Sequence, residues 1–340
     1  MNIGILTFHW ATNYGAVLQA YSLQEYFRTK GHNVEIINYK PRKYDFWVRY
    51  LHRPWLLKNI YKDIIAKRKE NKLAFFRKKY LNLTKRLYSS EDMLKEDFNY
   101  QLVVSGSDQI LNPYFTLLGE DRPTSAYYLE SFRDSFRIGY AVSFGCDEYP
   151  EKALFFSKKW INNFDKVGVR EDTGLSVLVQ MDYFKEASIV PDPTILLGIG
   201  LFRDLKIQKP KAENYYCVYL LRKHVKIQYK DVIYIDDYNS PLSMEQWIGT
   251  IVGSKALITN SYHGAIVAIL NHVPFVVYAD SDSMNQRFVS LLSKIQLVDR
   301  MVDDINEFPV VLKRSIDWEE TDKLLSDFRS KGVDFLDVKL

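Results

Sequence analysis

The opening of this 340-residue chain constrains its fold more than any other stretch. A short apolar run at 3–6 gives way to a polar loop. Residues 16–28 then carry Val17, Leu18, Tyr21, Leu23 and Phe27 at helical spacing, and a second apolar run follows at 34–37. Gly31 stands where such a helix ends. Strand, helix and strand in that order predict a β-loop-α-β unit, and so a parallel sheet in an α/β fold.

The same rhythm continues past residue 100. Apolar runs at 102–104, 138–142, 166–169 and 188–190 read as buried strands, and each ends in polar or small residues. A second series follows a Lys-rich linker at 198–213. Strands are expected at 216–221, 232–235, 256–258 and 274–278, and helices at 243–252, 264–270 and 285–294, with Ser243 as an N-cap. Only residues 222–231 separate the first two of these strands, whereas a parallel crossover usually needs a dozen or more. Either this half is trimmed or those strands are not parallel neighbours. The expected division is residues 1–197 for a first Rossmann-like domain, 198–318 for a smaller second one, and 319–340 for a closing helix that crosses back to the first.

Residues 41–96 interrupt the pattern. After Pro41 and Pro54, residues 55–80 show helical periodicity through Leu56, Ile60, Ile64, Leu73 and Phe76. From Lys40 to Ser90 there are 16 Lys and Arg against three acids, although the whole chain carries only +4. This predicts a basic helical insertion in the first domain. A solvated helix face is its plainest explanation. Nucleic acid is not expected as a partner, because no binding motif accompanies the charge.

Composition excludes several classes. An apolar fraction of 47% is ordinary for a globular chain. No apolar window approaches 18 residues, so no membrane-spanning helix is expected. The N-terminal run has no basic leader and reads as a first strand, not a signal peptide. Cys146 and Cys217 lie far apart without ligand spacing, so no zinc or other metal site is expected, and two cysteines suit a reducing, cytoplasmic location.

Open α/β sheets bind ligands beyond the carboxyl ends of their strands. Four such places carry useful chemistry. The loop from His9 through Asn13, Tyr14 and Gly15 ends at a helix start, where free N–H groups favour anions; it lacks dinucleotide-binding spacing and can equally be a turn and cap. Asp108 and Gln109 follow a tight turn at 105–107, where Asp108 either accepts from a hydroxyl or caps a helix. Arg170 ends a strand, and its planar fork suits a carboxylate or phosphate. His263 sits between strand and helix within Asn260-Ser261-Tyr262-His263-Gly264, where an imidazole can exchange protons near neutral pH or serve structure alone.

Together these pieces resemble the polysaccharide pyruvyl transferase family. The resemblance rests on Gly4-Ile5-Leu6-Thr7-Phe8-His9, Asn13-Tyr14-Gly15-Ala16-Val17-Leu18-Gln19-Ala20-Tyr21, Ser105-Gly106-Ser107-Asp108-Gln109, Val169-Arg170-Glu171-Asp172, Pro191-Asp192-Pro193-Thr194 and Thr259-Asn260-Ser261-Tyr262-His263-Gly264, in the family's order over roughly residues 1–300. It implies two Rossmann-like domains facing a cleft, as in the glycosyltransferase-B architecture. It implies phosphoenolpyruvate as donor, a saccharide or lipid-linked saccharide as acceptor, a cyclic ketal as product, and no cofactor.

By matched position His263 is the expected catalytic histidine, with Asp108 beside it. Arg170, Ser261, Tyr262 and Gly264 are expected around the donor, and His9, Asn13, Tyr14, Gly15 and Gln109 around the acceptor. Some family members carry an arginine two residues before the histidine, where this chain has Ser261. A donor with phosphate and carboxylate calls for a second cation, and Arg287 is the candidate. Residues 110–112, where relatives often have a tryptophan, also depart from the pattern. Within the family, the basic segment 41–90 offers a contact with anionic lipid at the inner face of the membrane, through Trp47, Trp55, Phe75 and Phe76. Two further readings are a nucleotide-sugar glycosyltransferase of similar architecture and a non-catalytic glycan-binding relative.

Overall fold

The computed structural model describes residues 1–45, 48, 60–221, 225, 227, 229–237, 239–279 and 285–338. Strands β1 (Asn2–Leu6), β2 (Asn33–Ile36), β3 (Leu102–Asp108), β4 (Phe136–Val142), β5 (Lys166–Val169) and β6 (Glu186–Ile189) form one parallel sheet in the order β2-β1-β3-β4-β5-β6. Strands β7 (Tyr216–Tyr219), β8 (Val232–Tyr234), β9 (Ala256–Thr259), β10 (Phe275–Tyr278) and β11 (Met301–Val302) form a second parallel sheet, in the order β11-β10-β9-β7-β8. The chain is thus two parallel-sheet α/β domains. β7 and β8 are parallel neighbours despite their short connection, which leaves a trimmed crossover as the explanation.

Local sequence accounts for the opening unit. Ile3 pairs with Leu102 and Ile5 with Val104, and all four are fully buried. The first helix, Tyr14–Thr29, starts where the Asn13 side chain accepts from the Ala16 N–H. It ends before Gly31, whose φ of 81° closes the turn at no steric cost. Ser243 caps the helix Met244–Val252 in a reciprocal capping box with Gln246.

β3 runs four residues further than the expected 102–104, because its polar end is paired: Gly106 lies opposite Tyr140 and Asp108 opposite Val142. Gly106 has φ 143°, and a Cβ there would fall 2.1 Å from the Tyr140 carbonyl oxygen. Small residues in this stretch let the strand continue to the site. The helices Glu151–Ile161 and Thr173–Gln180, not anticipated from sequence, carry the chain between β4, β5 and β6.

Of the expected basic insertion, the helix Ile60–Tyr80 is described, while Trp47, Trp55 and Leu56 lie outside the described residues. Its Leu73 and Phe76 are fully buried, with Phe76 against Tyr21 of the first helix, so Phe76 is core and not a membrane contact. Gln24 donates to the Tyr80 carbonyl and accepts from the Asn82 N–H, fixing the helix end. The plainest reading, a solvated face, fails at two positions. Lys69 and Arg77 are buried, at 5% and 7% exposure.

Lys69 joins the two domains. Its ammonium lies 2.7 Å from the Asp237 carboxylate and over the Tyr14 ring at 4.1 Å. Lys72 donates to the Pro241 carbonyl. The Tyr14 hydroxyl donates to the Leu242 carbonyl at 2.7 Å and accepts from the Leu242 N–H at 3.0 Å, while its ring stacks on Trp247. The last helix, Trp318–Leu336, returns to the first sheet, where Phe335 packs on Tyr140. A single buried cluster therefore runs from Ile3 and Val17 through Ile195 and Trp247 to Phe288. Among the described residues no helix is long and apolar enough to cross a membrane.

Candidate active site

The site is organised around Asp192, just beyond β6. Asp192 is fully buried and caps the short helix that follows, its Oδ1 accepting from the Thr194 N–H at 3.0 Å and the Thr194 hydroxyl at 2.7 Å. Its Oδ2 faces Ser107 Oγ at 3.2 Å, Arg170 Nη1 at 3.3 Å and His263 Nε2 at 3.4 Å. Burial alone would raise the Asp192 pKa. His263, Arg170 and the Thr194 N–H outweigh it and hold the carboxyl well below the usual carboxylate range.

Arg170 follows β5 directly, and its N–H bonds to the Val142 carbonyl. The side chain is 1% exposed. Nε lies 3.4 Å from Glu171 Oε2 and Nη2 lies 3.8 Å from Asp108 Oδ1. Burial opposes its charge, but Glu171, Asp108 and Asp192 more than compensate and raise its pKa. Glu171 is held in turn by the Ser143 hydroxyl. The guanidinium is rigidly placed, yet Nη2 has no hydrogen-bond acceptor among the described residues.

His263 comes from the other domain. β9 ends at Thr259, whose hydroxyl donates to the Tyr219 carbonyl and accepts from the Ser261 N–H. Ser261 then caps the helix Tyr262–Leu270, accepting from the Gly264 N–H at 3.2 Å. The Ser261 hydroxyl is thus a helix cap. Gly264 packs tightly over Thr259 and Ser261. Tyr262 is buried, with the Arg170 guanidinium 5.0 Å from its ring centroid and that of Arg287 at 5.5 Å. The Nε of Arg287 is buried without an acceptor among the described residues. Its pKa is lowered by burial and by Arg170, against the pull of Asp108 and Glu171.

The structure therefore brings together Asp108, Arg170, Ser261, Tyr262, His263, Gly264 and Arg287. Gly15 joins them, lying against the His263 ring. The remaining first-domain candidates are placed differently. Asn13 is exposed and caps the first helix, and Tyr14 is committed to the domain contact. Gln109 is partly buried beside Gly145. His9 is buried, its ring nitrogens 3.1 Å from the Thr7 carbonyl and the Asn38 side chain, and burial lowers its pKa to about 4. Among the described residues no group of three His, Cys, Asp or Glu side chains is arranged to hold a metal ion.

Three partners escaped assignment from sequence: Asp192, Ser107 and Gln19. Gln19 accepts from the Ser107 N–H at 3.0 Å and donates to Thr7, tying β1, β3 and the first helix together. The signal for Asp192 was its place between two prolines just after a strand, in a motif noted for resemblance but given no role.

Fold and site define a two-domain α/β protein with a buried cluster of charged side chains where one domain meets the other. The family model for polysaccharide pyruvyl transferase matches residues 13–282. The chain belongs to the polysaccharide pyruvyl transferase family, a family of transferases. No curated protein matches it in sequence. Among solved structures it is similar to the UDP-GlcNAc 2-epimerase of Methanocaldococcus jannaschii, at 10% identity and TM-score 0.48, over 97% of this chain and 100% of that one. It is also similar to the UDP-GlcNAc 2-epimerase of Neisseria meningitidis, at 6% identity and TM-score 0.48, over 98% and 94%. A glycotransferase of kitacinnamycin follows, at 10% identity and TM-score 0.45, over 97% and 95%.

Proposed function

We propose that this chain moves the pyruvyl group of phosphoenolpyruvate onto two hydroxyls of a saccharide or lipid-linked saccharide, giving a cyclic ketal and phosphate. One observation carries the reading: among the described residues Arg170 Nη2 and Arg287 Nε are buried donors without hydrogen-bond acceptors, on two guanidiniums that flank Tyr262 beside His263. Buried donors are usually satisfied, and these two, which face one ring, can both be satisfied by one anionic ligand. A donor with a carboxylate and a phosphate supplies an anionic group for each cation.

The reaction then has a simple order. A proton is added to the methylene carbon of the donor, and positive charge develops at the adjacent carbon. An acceptor hydroxyl attacks that carbon and gives up its proton. The carbon–oxygen bond to phosphate breaks, a second hydroxyl closes the ring, and the second hydroxyl proton leaves with phosphate. His263 exchanges the protons, and Asp108, next to Arg170, assists the acceptor hydroxyl. The guanidiniums stabilise charge on the leaving phosphate.

The acceptor lies on the first-domain side, near Asn13, Gly15 and Gln109. The exposed face of the helix Ile60–Tyr80 carries Arg68, Phe75, Lys78 and Lys79. It supports peripheral contact with anionic lipid at the cytoplasmic face, where a lipid-linked acceptor would be found. The test is incubation of the protein with phosphoenolpyruvate and lipid-linked saccharides. Stoichiometric phosphate and pyruvylated saccharide support the reading. Transfer of a sugar from a nucleotide donor, without consumption of phosphoenolpyruvate, would replace it.

A further inference from the structure

The surroundings of Asp192 determine where the His263 proton sits. Thr194 N–H and Arg170 Nη1 can only donate to the carboxylate, and the Thr194 hydroxyl donates to it as well. The Ser107 hydroxyl lies between it, at 3.2 Å, and the Ala141 carbonyl, at 3.1 Å. Asp192 is therefore an acceptor only, at zero exposure. His263 Nε2, buried and without a hydrogen-bond partner among the described residues, lies within ion-pair distance of Oδ2, at 3.4 Å. A bare lone pair on Nε2 would face a negative oxygen at that distance, whereas an N–H there is attracted to it.

The other ring nitrogen has different surroundings. A Cβ built on Gly15 would fall 2.0 Å from Nδ1, 2.5 Å from Cγ and 2.8 Å from Cε1. Similar distances to three adjacent ring atoms place that point over the face of the imidazole, not beyond its edge. Gly15 thus supports the ring from one face.

We infer that Asp192 fixes His263 in the tautomer with its proton on Nε2, so that Nδ1 is the atom that exchanges protons with the substrate. In the imidazolium form both nitrogens carry protons, and only the one on Nδ1 is delivered. In the neutral form Nε2 keeps its proton and Nδ1 presents a lone pair. Asp192 acts through His263 and is a positioning residue, like the carboxylates that orient histidines in other acid–base sites. By binding Arg170 Nη1 with the same oxygen, it also sets the spacing between the proton-exchanging ring and the donor's cation.

The inference rests on the reading of His263 as the acid–base group, but its test is independent of turnover. Imidazole nitrogen shifts of the ¹⁵N-labelled full-length protein are followed through the titration of His263, without any substrate. The signal is identified among the six histidines by its loss in His263→Gln. The expected result is a neutral ring with a protonated-type Nε2 shift and an unprotonated-type Nδ1 shift, and a loss of that preference in Asp192→Asn. A neutral ring protonated on Nδ1, or an identical pattern in Asp192→Asn, would overturn the inference. If Asp192→Asn does not fold, the wild-type assignment alone decides. Failure of the pyruvyl-transfer reading would show instead in donor binding, which this experiment does not use.

Discussion

Gly15 and His263 come from opposite domains and touch so closely that residue 15 has no room for a side chain: a Cβ would sit 2.0 Å from Nδ1. The start of the first helix is thereby the seat of the histidine ring. In the proposed reaction, the position of His263 is therefore set by the fit between the two domains.

Gly15→Ala should displace His263 or push the domains apart. Misplacing a catalytic group by about 1 Å costs on the order of 10²-fold in rate. A loss of that size in phosphate release is expected, with the circular dichroism of the fold retained. An unchanged rate would mean that the contact does not set the active geometry.

The Lys69–Asp237 pair, supported by the Tyr219 hydroxyl at 3.2 Å from Asp237, joins the two domains, as the Lys294–Asp172 pair does at 3.2 Å. Lys69→Met leaves the partly buried carboxylate with one donor. A loss of about 2–3 kcal/mol is expected from the urea midpoint. Restoration by Asp237→Asn in the same chain would confirm the coupling, and a neutral single variant would refute it.

His9 gives a pH dependence with a definite sign. Its pKa is about 4 in the folded protein against 6.5 as the ordinary value, so the unfolded chain binds the proton first as pH falls. Stability is complete above about pH 6.5 and declines toward pH 4, by up to about 3 kcal/mol. Urea midpoints measured across that window should fall in the wild type and fall less in His9→Gln. Equal slopes would exclude His9 as the source.

The exposed face of the helix Ile60–Tyr80 has Phe75 at 66% exposure among basic side chains. Binding to phosphatidylglycerol vesicles is expected at low salt, weakening as salt rises and weaker in Phe75→Ser. Absence of binding, or equal binding to neutral vesicles, would remove the membrane from the account.

Much of this was legible in the sequence, and the limits have physical causes. Strands buried on both faces read as apolar runs, so β5 was found with its bounds intact. The Ser243 cap is a local signal and was read correctly. The helix Glu151–Ile161 was missed; its Phe155, 85% exposed, blurs the apolar stripe. The helix Thr173–Gln180 has only eight residues and includes Gly174 and β-branched Val177 and Val179.

The position of His263 could be read locally, as the turn between a strand and a helix. The role of Asp192 could not, because its partners Ser107, Arg170 and His263 arrive from β3, from beyond β5 and from the other domain. Charge gave no warning that Lys69 and Arg77 are buried, since that depends on which face of the helix meets the first domain.

The most direct test of the central claim is calorimetric titration of phosphoenolpyruvate into the full-length protein, its Arg170→Lys variant and its Arg287→Ala variant. Each lost charge-assisted contact is worth about 1.5–3 kcal/mol, so each variant should bind roughly 10- to 100-fold more weakly than the wild type. No binding of phosphoenolpyruvate to the wild type, or equal affinity in all three proteins, would contradict the account.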